Sequence, residues 1–206
     1  QTEEALKDFL MLIKLAPYES DNYYNTGLLF KDKQKSGKAI NYFKKAIEID
    51  QRHAGAYLNL GIIMFNSKRY KEAKYYLDQA MKFDENNFIT YFYLGKIAKE
   101  ARDYITAVEF FEKSLREKTV KVKALIERGI CFIALQQFDT AITEFEKAIT
   151  TSEKDSECRG SEQQMLYARY FLAMAYESIR NPDKAIELWT FINSIKKNFK
   201  DVPDKL

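Results

Sequence analysis

Small, aliphatic and aromatic positions return along this chain at one interval. Gly27, Gly61, Gly95 and Gly129 stand 34 residues apart, and Ala39, Ala73, Ala107 and Ala141 keep the same spacing. Four residues after each alanine comes a large apolar residue, Phe43, Leu77, Phe111 or Phe145, and three further on a small one, Ala46, Ala80, Ser114 or Ala148. Tyr70, Tyr104 and Phe138 add a third phase with the same period. Repetition at this length is the signature of a helical solenoid, whose units bury their apolar sides against one another.

A single unit shows the local physics. Tyr57, Leu60, Gly61 and Met64 recur at helical spacing and mark the apolar side of a first helix. Ser67, Lys68 and Arg69 interrupt it, and Tyr70, Ala73, Leu77 and Ala80 mark a second helix. The stretch from Asp84 to Asn87 ends that helix with turn-forming residues. Gly61 and Ala73 are the small residues that let the two helices approach. A leucine at either would overpack the seam, at a cost of roughly 1–3 kcal/mol.

Tyr57, Leu60, Gly61, Met64, Tyr70, Ala73, Leu77 and Ala80, with their counterparts one period away, resemble the tetratricopeptide repeat family. The resemblance covers essentially the whole chain. Complete units are expected at 20–53, 54–87, 88–121 and 122–155, and a fifth at 166–199. The fifth is carried by Tyr167, Leu172, Ala173, Tyr176, Ala185 and Trp189, with Ala173 in place of the usual glycine. Ala185 follows Ala141 by 44 residues, so an inserted loop at 150–165 is expected before it. That insertion is polar and acidic. It reads either as a tolerated insertion with extended flanking helices or as a functional loop.

At the start, residues 1–19 read as the second helix of an incomplete leading repeat, with Ala5, Phe9 and Leu12 in phase and Pro17 where the family often places its terminal proline. At the other end, 200–206 reads as a tail. Trp189 and Ile192 have no following repeat to cover them, so the chain reads as a piece of a longer protein. Alternatively Phe199 and Val202 fold back as an improvised cap. Asn181 and Pro182 suit the cap and first turn of the last helix.

The resemblance implies an all-α fold, a right-handed superhelical solenoid of tetratricopeptide-type helical hairpins. It also implies a concave groove lined by the first helix of every unit, where partners bind. Carried over to this sequence, the groove positions are Asp21, Tyr24, Leu28 and Lys31, then Gly55, Leu58, Ile62 and Phe65. The third unit contributes Ile89, Phe92, Lys96 and Lys99, the fourth Lys123, Ile126, Ile130 and Ile133, and the fifth Tyr167, Tyr170, Met174 and Glu177. So apolar a set, if exposed, marks an interaction surface. Its natural occupant is an amphipathic helix steered by Lys96 and Lys99, with Leu58, Ile62, Phe65 and Phe92 as chief anchors. Packing between repeats, or a tail of the same chain, would account for the same pattern. A subset of the family clamps the C-terminal carboxylate of heat-shock chaperones with Lys, Asn and Arg. Asn59 matches one of those positions, whereas Tyr24, Leu28, Ile89 and Tyr93 stand where the others would be, so that role is not expected.

Composition narrows the function classes. The 33 Lys and Arg nearly balance 30 Asp and Glu, a net charge of +3 too small for a chain built to coat phosphate backbones. The lysines at 31–45 and the basic residues of 113–123 alternate with acids and read as a solvated face, so no nucleic-acid partner is expected; an RNA-binding solenoid is the weaker rival. One His and two Cys leave no material for a metal site or a His-activated nucleophile, so no enzyme, cofactor or metal is expected. His53 reads as a turn residue. No apolar run reaches the roughly 18 residues of a membrane span, and no signal peptide is visible, which leaves the compartment open. Lys outnumbers Arg by 25 to 8, the bias of an A+T-rich bacterial genome. The expectation is therefore a protein-interaction scaffold in a bacterial assembly, binding another protein, a peptide segment or a second copy of itself.

Overall fold

The computed structural model describes residues 2–206. Among them are eleven α-helices and no strand. The chain forms two compact units, one up to Tyr93 and the other from Leu94. In the first, α1 (Thr2–Leu15) packs on α2 (Ser20–Asp32), which pairs with α3 (Ser36–Ile49), and α4 (Ala54–Asn66) pairs with α5 (Tyr70–Phe83). Helix α6 (Phe88–Glu100) carries the chain from one unit into the other. In the second unit α7 (Tyr104–Ser114) packs on α8 (Lys118–Ala134), α8 pairs with α9 (Phe138–Lys154), and α10 (Glu162–Ser178) pairs with α11 (Pro182–Ile195).

The periodic glycines are where paired helices come closest. A Cβ at Gly27 would lie 2.6 Å from the Phe43 ring, at Gly61 2.6 Å from Leu77, at Gly95 2.8 Å from Phe111, and at Gly129 2.7 Å from Phe145. Each glycine thus makes room for a large side chain on the second helix. Phe43, Leu77, Phe111 and Phe145 are fully buried as a result. In the last hairpin Ala173 and Trp189 occupy the corresponding positions, and both are fully buried.

The tight turn inside each hairpin has a repeated geometry that no glycine announces. Gln34, Lys68, Arg102, Gln136 and Arg180 all lie in the left-handed region, with φ between 57° and 62°. Each is followed by a backbone N–H that reaches back over the helix end, as in Lys35 to Phe30 O, Arg69 to Met64 O and Asn181 to Tyr176 O, all at 2.9 Å. This satisfies carbonyls that the helix end would otherwise leave orphaned. Helix starts are capped by different means. His53 accepts the Ala56 N–H at Nδ1, Asp103 accepts that of Thr106, and Ser161 with Gln164 forms a capping box. Asn181 caps α11, with Pro182 in its first turn.

The extra length between the fourth and fifth repeats is mostly helix. Helix α9 runs on to Lys154 and α10 begins at Glu162, so within 150–165 only Asp155–Ser161 lies outside them. Even there a 3-10 turn, Ser156–Cys158, packs on α8 and α9 and buries Cys158. Burial first, then the Asp155 hydrogen bond, pushes the Cys158 thiol up.

Trp189 and Ile192 are covered by the chain itself. Phe199 and Val202 fold into the same apolar cluster, and Val202, which opens a 3-10 turn, is fully buried. Phe199 and Val202 thus fold back over that end of the last hairpin.

Candidate binding faces

In the first unit α2 and α4 build a face that is partly polar. Tyr24 is half-buried, its ring 4.6 Å from the His53 ring and 5.8 Å from that of Phe43. The Asn59 amide is buried and fully engaged. It donates to Gly55 O at 2.9 Å and to the Tyr24 hydroxyl at 3.4 Å, and it accepts from Lys31 Nζ at 2.6 Å. Burial pushes the Tyr24 phenol up, against the Asn59 hydrogen bond. Asn59, the one match to a carboxylate-clamp position, is therefore occupied in holding neighbouring helices together.

Beside this cluster the apolar positions divide. Leu58 is 7% exposed and Phe92 5%, whereas Leu28, Ile62, Phe65 and Ile89 are half-buried. Phe65 sits among rings, 5.5 Å from Tyr70 and 5.7 Å from Tyr93. A cavity of about 630 Å³ exists elsewhere, by the α9–α10 connection, but on this face the opening is about 370 Å³, walled by Lys31, Gln34, Ser36, Ile62, Ile63, Asn66 and Ser67.

In the second unit the equivalent positions are more charged. Lys99 Nζ pairs with Glu127 at 2.5 Å, and both side chains are largely shielded from water. Burial would lower the Lys99 ammonium, but the charge and hydrogen bond of Glu127 outweigh it and hold it above its usual value. Burial pulls Lys96 below its usual range, with Glu127 opposing. Cys131 is fully buried nearby and its thiol is pushed up to about 12, chiefly by burial, so it stays protonated. Ile126 is buried; Ile130 and Ile133 are half-buried. Behind this face Arg128 forms a buried ion pair with Glu144, its Nε 2.7 Å from the carboxylate, and also meets Glu112.

On α10, Tyr167 and Tyr170 are covered by the tail, and Met174 packs against the core cluster. Phe199 meets the Tyr167 ring edge-on at 5.4 Å and the Tyr170 ring at 6.1 Å. The Tyr170 hydroxyl donates to Asp201 at 2.7 Å. Glu177 accepts from Trp189 Nε1 and Lys205 Nζ, at 3.2 and 3.1 Å.

None of the fifteen candidate positions, from Tyr24 to Met174, is fully exposed. Four of them are buried and the other eleven are half-buried. The buried four are Leu58, Phe92, Ile126 and Tyr170, the last beneath Phe199 of the tail. The largest apolar exposures lie elsewhere, at Leu15, Tyr18 and Ile105. Sequence reasoning did not find the Lys99–Glu127 and Arg128–Glu144 pairs, whose members are 28 and 16 residues apart. Among the described residues no group of three His, Cys, Asp or Glu side chains is placed to hold a metal ion, and no helix is long and apolar enough to cross a membrane.

Residues 32–94 and 122–155 each match the description "tetratricopeptide repeat". No curated protein matches at a significant level. Among solved structures, YrrB, described as "a TPR protein with an unusual peptide-binding site", is 21% identical with a TM-score of 0.78, over 96% of this chain and 98% of that one. PilF of Pseudomonas aeruginosa is 16% identical with a TM-score of 0.76, over 98% and 97%. MamA is 20% identical with a TM-score of 0.70, over 91% and 96%. At these identities the likeness is one of fold.

Proposed function

Because this chain belongs to the tetratricopeptide repeat family, whose members bind other proteins or peptides, we propose that it is a non-enzymatic scaffold that receives an amphipathic helix of a partner protein on the α2–α4 face. The observation that carries this reading is Ile62. It is half-buried rather than packed away and it lines the 370 Å³ opening; Leu28 on α2 and Phe65 on α4 are half-buried too. A helix laid there would bury its apolar stripe against these side chains. Lys31, held by Asn59, supplies a positive rim that favours acidic residues on the partner. The lysine bias of the composition supports a bacterial source, and the partner is read as a member of a multiprotein assembly there.

The test uses the full chain as bait beside Leu28→Lys and Ile62→Lys variants whose circular dichroism is unchanged. A partner held by the first and lost by both variants is expected, and its binding segment, made as a synthetic helix, should slow amide exchange in α2 and α4. Retention by all three baits, or protection confined to other helices, excludes this face.

A second reading is self-association. Met11, Leu15 and Tyr18, at and just beyond the end of α1, are 57%, 71% and 86% exposed, an apolar set suited to a second copy. Mass that rises with concentration in light scattering would support it. A monomer that persists over the same range would exclude it.

A further inference from the structure

The Lys200 ammonium sits over three aromatic rings of α10. Its Nζ is 3.9 Å from the centroid of Tyr170, 4.5 Å from Tyr167 and 4.7 Å from Phe171. No carboxylate pairs with it among the described residues. Ring faces carry the negative end of their quadrupole, so three of them together can replace much of the water that a cation gives up. Burial leaves the ammonium below its usual pKa, with the charge of Asp201 opposing.

The flanking residues are matched to the same surface. Phe199 packs edge-on against Tyr167 and Tyr170, and Asp201 accepts the Tyr170 hydroxyl proton at 2.7 Å. The segment's backbone bonds in this stretch are local, Val202 N–H to Phe199 O and Asp204 N–H to Asp201 O, with none to α10. Side chains alone hold it on the helix. It is also bent through the left-handed region at Asn198, φ 60°, and Lys200, φ 51°, neither of which is a glycine. Such a conformation carries strain in a residue with a Cβ and persists only where contacts repay it.

We propose that Tyr167, Tyr170 and Phe171 form a lysine-binding cage for a peptide segment of the type aromatic–lysine–acid, and that the chain's own Phe199-Lys200-Asp201 is its resident occupant. The incoming ligand is a segment of another protein with this same chemistry, which displaces the tail. The proposal deepens the reading of the chain as a receiver of protein segments and rests on it for the arrival of such a ligand. The site lies in the second unit, so its test is independent of the test on Ile62. Tethering gives the resident segment a high effective concentration, so a free segment binds weakly until the tail is weakened.

Trp189, the chain's single tryptophan, reports on the site. It is fully buried, its ring is 5.2 Å from that of Tyr170, and its Nε1 donates to Glu177, which also accepts from Lys205 of the tail. A synthetic peptide of residues 196–206 is titrated into the full chain and into the full chain carrying Phe199→Ala and Lys200→Ala. The peptide should shift Trp189 emission in the variant at concentrations at least about tenfold below those needed for the unaltered chain. The same peptide with norleucine at Lys200 should bind roughly tenfold more weakly. Equal binding of the two peptides would overturn the cage, and no binding to a folded variant would overturn the site. Should the variant fail to fold, the unaltered chain decides the matter by NMR. The Lys200 Hε protons should lie upfield of those of Lys197 through the ring currents, and coincidence of the two overturns the proposal.

Discussion

Tyr24 on α2 and Tyr170 on α10 hold the same place in the first and last repeats, yet different parts of the chain cover them. Tyr24 lies against His53, and its hydroxyl accepts from Asn59, residues at and within the helix that follows in the array. Tyr170 lies against Phe199, and its hydroxyl donates to Asp201, both from the tail. One phenol is served by the next repeat and the other by a short irregular segment. A repeat's first helix needs an apolar cover and a polar partner for its tyrosine, but neither has to come from a helix. The two phenols also titrate differently. Burial raises both, but Asn59 opposes the rise at Tyr24, while at Tyr170 the hydrogen bond and charge of Asp201 add to it and bring the value to about 12.

The sharpest way to break this comparison is to remove the residue under the tail. Trp189→Ala should cost about 3–5 kcal/mol in the second unit. Amide exchange should rise in α10 and α11 while α2 to α5 keep their protection; equal loosening in both units would mean that the tail caps nothing locally. Next comes Gly61→Ala, whose new Cβ would stand 2.6 Å from Leu77 Cγ. About 1–3 kcal/mol of lost stability is expected in denaturant melts. The reverse change in the last repeat, Ala173→Gly, should cost only the ~0.5–1 kcal/mol of a helical glycine. A neutral Gly61→Ala would show that the seam can relax.

Smaller effects separate the two tyrosines. Tyr170→Phe should cost about 1 kcal/mol, and Tyr24→Phe less, because Asn59 keeps its bonds to Gly55 and Lys31. The Tyr170 hydrogen bond holds the Asp201 carboxyl below its usual range. A lowered carboxyl contributes stability that is complete above its unfolded value, about 3.9, and is lost as pH falls through the lower folded value. Tyr170 itself, raised, contributes below about pH 10 and loses its contribution as pH climbs through about 12. Trp189 emission should therefore change at both extremes, and Tyr170→Phe should abolish both changes. Persistence of either in the variant would assign it to another group. The smallest expected effect is a gain: Lys68→Gly and Arg180→Gly should each stabilise by ~0.5 kcal/mol, through relief of a left-handed backbone partly offset by chain entropy. Thermal melts of both variants would show whether the second and last turns carry the same strain.

The 34-residue interval made the hairpins legible because it records a steric fact, a glycine opposite a large side chain, that any neighbouring helix must respect. The left-handed turns were not legible. Gln34, Lys68 and Arg102 carry long polar side chains where a glycine would have signalled the conformation, and only the closing N–H bonds force it. The helices that carry the candidate positions were legible in the pattern; how far each position is exposed was not. Leu58 and Phe92 look like anchors in sequence and are buried in the structure, because periodicity fixes the side of a helix and says nothing of what covers it.

By itself, the sequence determined the helical hairpins, their small-residue seams, the cap at Asn181 and the scarcity of catalytic material, since all of these depend on neighbours within one or two turns or one period. Tertiary structure alone decided that most of the stretch at 150–165 would lengthen two helices, that Lys99 would find Glu127, and that Phe199-Lys200-Asp201 would close over the aromatic face of α10. Those outcomes depend on residues that are far apart in the chain and carry no shared period, so only the competition among all available covers for a buried surface could settle them.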